Sequence, residues 1–154
     1  MARASHEGGF AGRGPLAGRR AADEEDASYL RLGKDFSRAK CLMNADVALI
    51  LERKREIMEA KGQAPKSDFI KAYKYVNQVK QFREKHVVVQ VRKELEAFGL
   101  EPFEVAQLGN LCPETAAEAK ALIPSLENME GRMLDNAQLT ELLQQLAANK
   151  QFST

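Results

Sequence analysis

Apolar residues recur at helical spacing along most of this chain. Phe36, Ala39, Met43, Val47, Ile50 and Ile57 form one stripe, widened by Leu42 and Leu49. The pattern predicts a long helix opening at Asp35, a residue of the capping type. Past Leu51 this helix turns charged, with Glu52-Arg53-Lys54-Arg55-Glu56. A loop follows, Gly62-Gln-Ala-Pro65-Lys66, and Ser67 is placed to cap the next helix. There Phe69, Ile70, Ala72, Tyr73, Tyr75, Val76, Val79 and Phe82 cover well over half the circumference. Such coverage predicts a central helix packed on two sides.

The later elements are shorter. Val88, Val91, Leu95 and Phe98 define a helix over Val87–Phe98, and Gly99 supplies a left-handed stop. Pro102 suits the first position of the following short helix. Phe103 to Leu126 then reads as two short helices meeting at a corner. Pro113 cannot sit inside a helix without removing a hydrogen bond, so it marks the boundary. Thr115-Ala-Ala-Glu118 has the spacing of a capping box, and Pro124 stops the second helix. Asp135, with Gln138 three residues on, opens a last helix whose Leu139, Leu142, Leu143 and Leu146 face inward.

Two stretches have no evident home in this scheme. Tyr29-Leu-Arg-Leu-Gly33 alternates, placing Leu30 and Leu32 on one face of a short strand. A lone strand in a helical chain is either irregular coil or an edge that adds to another protein's sheet. The first helix stands apart across the 60–66 loop, and its stripe must bury against something that need not be the bundle. The chain therefore divides into a tail (1–27), a docking strand and helix (28–61) and an all-α helical bundle (67–154).

Composition sharpens this picture. Hydrophobic residues make up 44% of the 154, with 6% aromatics and no Trp, which fits an aliphatic helical core. No apolar run reaches the length of a membrane span. Five of the ten glycines fall between Gly8 and Gly18, among arginines. That segment cannot bury enough apolar surface to order itself, and without an amphipathic helix it is a poor transit peptide. It reads as a disordered tail suited to nucleic acid. The net charge of +1 hides a segregation: residues 49–100 carry twelve basic against seven acidic side chains, residues 101–154 three against eight.

Reaction chemistry is not written here. There is no phosphate-binding Gly-rich loop and no nucleophile with a His base. His6 and His86 stand apart, and Cys41 and Cys112 form no CxxC, so no metal or other cofactor is expected. The cysteines read as free thiols of a reducing compartment. Glu94 and Glu96 leave their helix on different sides. Asn110 reads as a helix-end residue bonding its own turn. A basic cluster, Lys71, Lys74, Lys80, Arg83, Lys85, Arg92 and Lys93, is the candidate nucleic-acid surface, against the plainer reading of a solvated face. Tyr73, Tyr75 and Phe82 interleave with it but fit the core stripe better than base stacking.

Three ordered blocks carry a family resemblance. They are Leu42-Met-Asn44-Ala-Asp-Val47 with Leu49-Ile-Leu-Glu52-Arg-Lys54; Phe82-Arg83 with Val91-Arg92 and Leu95; and Phe103-Glu-Val-Ala with Leu108-Gly-Asn-Leu-Cys-Pro-Glu-Thr-Ala116 and Ala121-Leu-Ile-Pro-Ser-Leu126. From Tyr29 to Phe152 the chain resembles the fourth-largest subunit of eukaryotic RNA polymerase II, a non-catalytic stalk subunit, or its close relative in the plant silencing polymerases. The resemblance implies a bundle like the C-terminal domain of RecQ helicases and RNase D. It also implies a nuclear protein that pairs with the β-rich seventh subunit, then with the polymerase core, beside nascent RNA and away from membranes. Leu30, Leu32, Phe36, Leu42, Met43, Val47, Ile50 and Leu51 would match the pairing contact. A free-standing nucleic-acid-binding module and a protein adaptor are the readings the residues alone leave open.

Overall fold

The computed structural model describes residues 25–36, 39–127 and 135–151. The glycine-arginine tail, apart from its last residues, lies outside them. Among the described residues every regular element is helical: α1 (Gly33–Phe36), α2 (Asn44–Ala60), α3 (Ser67–Val79), α4 (Lys85–Ala97), α5 (Pro102–Leu111), α6 (Ala116–Leu122) and α7 (Asn136–Gln151), with single 3-10 turns at Ala27–Tyr29 and Pro124–Leu126.

The anticipated strand is absent. Asp26 instead folds the chain back: its carboxylate accepts from the Ser28 amide at 2.9 Å, and Asp26 and Arg31 exchange backbone bonds of 2.9 and 3.0 Å. Leu30 adopts the left-handed conformation (φ 61°). An Asp that bonds two residues ahead offers the backbone a turn, and this local bond outweighs a five-residue alternation. The turn at 27–29 lies against the turn at 124–126, so this segment has an internal neighbour.

The first long helix also begins later than its stripe suggests. Asp35 lies within the short α1, and α2 opens at Asn44 behind extended Met43. Asp46 performs the capping, its carboxylate accepting the Met43 amide at 2.9 Å. At α3, extended Lys66 occupies the cap position without a side-chain bond, and Ser67 is already helical.

The core gathers around α4. Val87, Val88, Val91 and Leu95 are buried there between α5, α7 and the start of α2. Leu139, Leu142, Leu143 and Leu146 close it from α7, and Val105, Leu108, Ile123 and Leu126 close it from the corner. Each buried aliphatic side chain contributes about 1.5–3 kcal/mol by leaving water. Gly99 takes the left-handed stop (φ 69°) and Pro102 opens α5. Thr115 accepts the Glu118 amide at 3.1 Å, while the Glu118 carboxylate reaches Glu114, one residue short of a reciprocal box. Asp135 and Gln138 cap each other's amides, both at 2.8 Å.

α3 is peripheral rather than central. It runs back along α2 and fully buries only Val76, leaving Ile70 and Tyr75 in water. Phe82 does reach the core, from the loop after α3. Wide apolar coverage therefore did not mean two-sided packing; part of it is simply exposed.

Candidate partner-docking site

The functional question turns on how α2 is held and what its open side presents. Its first turn is fixed by side chains from far along the chain. Asn110, at the end of α5, accepts the Asn44 amide through Oδ1 at 2.7 Å. This fills one of the donor vacancies every helix start leaves. Arg92, on α4, donates to the Asp46 carboxylate, with Nε 3.2 Å from Oδ2, and Nη2 reaches the Cys41 carbonyl at 3.3 Å. Nη1 meets Glu96 at 3.2 Å. The bond to Asp46 holds the Arg92 guanidinium above its already high pKa, against the opposing cost of burial.

Between these bonds Met43 is wholly buried. Its Sδ lies so near Gly109 that a Cβ there would stand 2.2 Å away, so a side chain at 109 would displace the Met43 thioether from its buried place. Ala45 and Ala48 complete the inner face. Met43 thus belongs to this chain's own core, a correction to its place among the docking residues. The cause is its position just before α2, where the chain enters the bundle rather than following the outer stripe.

The other docking candidates stay accessible. Val47 and Leu51 are half-buried, Ile50 is 53% exposed and Leu42 41%, with Ile57 continuing the stripe. Val47, Ile50 and Ile57 follow three- and seven-residue spacing, so they share the side of α2 turned from Ala45 and Ala48. Phe36, at 62%, is the most exposed large apolar residue described. Leu30 is exposed and Leu32 half-buried beside the Asp26 turn.

The basic cluster loses one member to this chain's own bonds. Arg92 is committed to Asp46, Cys41 and Glu96 and drops out as a nucleic-acid ligand. Lys80 is half-buried, and Lys71, Lys74, Arg83, Lys85 and Lys93 are exposed on α3, α4 and the turn between them. Tyr75 stands in water one turn from Lys71 and beside Lys74, whereas Tyr73 is absorbed by α2. Tyr73 stacks on Phe69 (centroids 6.3 Å apart), donates its hydroxyl to Glu52 and underlies the Arg55 guanidinium at 5.6 Å.

Neither thiol is disulfide-bonded. Burial pushes the Cys112 thiol up to about 11, so at neutral pH it stays a protonated cap residue. No group of His, Cys, Asp or Glu among the described residues could hold a metal ion. No described helix is long and apolar enough to cross a membrane.

The elements that pin α2 are the same blocks that carry the family resemblance, and residues 41–149 match the RNA polymerase Rpb4 family. The chain belongs to the Rpb4 family. It is 40% identical over 134 residues to DNA-directed RNA polymerase II subunit 4 of Arabidopsis thaliana, covering 84% of this chain and 96% of that one. Subunit rpb4 of Dictyostelium discoideum is 34% identical over 148 residues, covering 85% and 92%. Its Schizosaccharomyces pombe counterpart is 32% identical over 136 residues, covering 86% and 97%. Rpb4 is a non-catalytic subunit of RNA polymerase II and acts in transcription.

In this Rpb4 chain the residues that sequence reasoning missed are the positioning ones. Asn110 bonds the start of α2 and not its own turn, Gly109 admits Met43, and Asp46 pairs with Arg92. Their signal was present only as the co-occurrence of three blocks, because nothing local distinguishes an Asn that caps another helix from one that ends its own.

Proposed function

We propose that this chain is the stalk subunit of nuclear RNA polymerase II, pairing with the seventh subunit through the open side of α2 and the stretch before it. The observation that carries the reading is the accessible stripe Leu42, Val47, Ile50 and Leu51 on a helix whose start is fastened to the bundle at three points. A rigidly presented apolar face lowers the ordering cost of association. Leu30, Leu32 and Phe36 extend it. Permanent partners cover about 2,000 Å² or more. On this reading the small bundle behind α2 is similar to the C-terminal domain of RecQ helicases and RNase D. The paired stalk then supports initiation, joins the polymerase core and offers surfaces to nascent RNA and factors.

Co-expression with the seventh subunit tests this. Ile50→Asp places a charge in the contact without entering this chain's own core, and should weaken pairing by about thirtyfold or more. Val47→Asp should act in the same direction. Undiminished co-purification of Ile50→Asp, with helicity intact, would remove this face from the interface.

A second reading draws on Tyr75 beside Lys71 and Lys74: direct contact with single-stranded RNA. It requires salt-dependent binding that falls when those two lysines are reversed to Glu.

A further inference from the structure

The far end of the α2–α3 pair holds a cleft of about 540 Å³ lined by Lys54, Met58, Gln63, Ala64, Lys66 and Phe69. Half-buried Met58 and Phe69 with Ala64 make its lining apolar in part, and Lys54 and Lys66 make it cationic. The charges around it are unbalanced in a specific way. On α2 every carboxylate past Leu51 is held by an arginine: Glu52 and Glu59 by Arg55 at 2.5 and 3.0 Å, and Glu56 by Arg53 at 3.0 Å. Lys54, Lys61 and Lys66 have no ion-pair partner among the described residues. Lys54, Met58 and Lys61 are spaced four and three residues apart and share one side of α2. Asp68 is the local carboxylate left over, so three free cations face one free anion. The first amides of α3, behind Lys66, also lack a side-chain cap.

We propose that this cleft docks an acidic peptide segment of another protein, with one large apolar side chain seated on Met58 and Phe69 and its carboxylates on Lys54, Lys61 and Lys66. Charge complementarity selects the occupant. The arginines of α2 pair within the helix, whereas unpaired lysines beside an apolar lining suit carboxylates flanking an apolar anchor. The site lies at the opposite end of α2 from the pinned turn, on the side of the helix that also carries Ile50 and Ile57, so the seventh-subunit complex as well as the lone chain is needed to test it.

A fluorescein-labelled peptide of Asp and Glu flanking a central Phe-Leu pair is the probe, read by anisotropy with the full chain alone and with its seventh-subunit complex. Saturable binding to both is expected. The exposed double variant Lys54→Glu/Lys66→Glu and the floor variant Met58→Glu should each weaken it about tenfold or more, with circular dichroism unchanged. Replacing Phe-Leu by Ala-Ala in the peptide should do the same. Several results would overturn the proposal: no binding; equal loss on reversing Lys71 and Lys74, which marks unspecific attraction; or displacement by an oligouridylate at equal charge, which marks a nucleic-acid site. Tighter peptide binding after deletion of residues 1–26 would make the chain's own tail the occupant. Binding to the lone chain but not to the complex would assign the cleft to the pairing interface. The last two outcomes, too, count against an external acidic partner.

Discussion

The two ends of α2 are held by different physics. The first turn is set by small residues and long-range bonds: Ala45 and Ala48 against the bundle, Met43 beneath Gly109, Asn110 on Asn44 and Arg92 on Asp46. The far end packs on α3 through Tyr73, carries its surface ion pairs within α2 itself, and leaves the Arg55 Nε without a hydrogen-bond partner among the described residues. Close packing around a missing Cβ leaves little room for alternatives. Exposed Arg–Glu pairs contribute about 0–1 kcal/mol each, so the arm is held much more weakly. One helix is thus anchored at one end and adjustable at the other, which suits a fixed contact near the bundle and an adaptable one away from it.

The sharpest way to break this contrast is to compare two truncations. Leu95 is fully buried at the centre, so Leu95→Ala should cost about 3 kcal/mol and lower the melting of the whole chain. Val76 is the one fully buried side chain of α3, and Val76→Ala should cost about 1 kcal/mol, felt mainly in α2's far end and α3. Amide exchange resolves the two. If Val76→Ala opened α4 and α7 as much as α3, the arm would be part of one cooperative unit.

Which parts were legible in the sequence follows from the range of the forces involved. The stops at Gly99 and Pro113 and the caps at Thr115 and Asp135 are local, and each stands where the residues placed it. So does the inward leucine face of α7. The Asp26 turn is equally local, but its signal lies just outside the five-residue alternation of Tyr29 to Gly33 and is masked by it. The central role assigned to α3 failed for another reason: periodicity counts apolar residues but not how many neighbours are available to cover them. Met43 and Asn110 were beyond reach, since their partners lie 66 residues apart in sequence, as the Asn44–Asn110 bond does. The outer stripe of α2 was readable from its spacing, and the arginine-balanced, lysine-rimmed cleft was not.

A middling effect is expected from loosening the anchored end. Asn110→Ala leaves the Asn44 amide without its partner and should cost about 1–2 kcal/mol. Arg92→Ala removes the cation from the half-buried Asp46 carboxylate and frees the Cys41 carbonyl, at a similar cost. Because both act on one turn, the double variant should cost less than the sum of the singles. Full additivity in a double-mutant cycle would mean that the two bonds hold separate things and that α2 is not pinned as a unit.

The smallest effect is the pH response of the arm, and its sign is fixed by two linked groups. The Arg55 guanidinium, then the Tyr73 hydroxyl, hold the Glu52 carboxyl below its ordinary range. A depressed carboxyl contributes support that is present above its unfolded value and is lost as pH falls through the folded one. Tyr73 is shifted the other way, upward, chiefly by its bond to Glu52. Its support is complete below the ordinary tyrosine range and is lost as pH rises through the raised value. The α2–α3 contact should therefore loosen at both extremes, in acid below the ordinary carboxylate range and in alkali above the tyrosine range. Tyr73→Phe should abolish the alkaline limb, keep most of the acid limb through Arg55, and change overall melting by less than about 1 kcal/mol. Amide exchange across α3 reads both limbs, and an alkaline loosening that survives Tyr73→Phe would detach it from this residue.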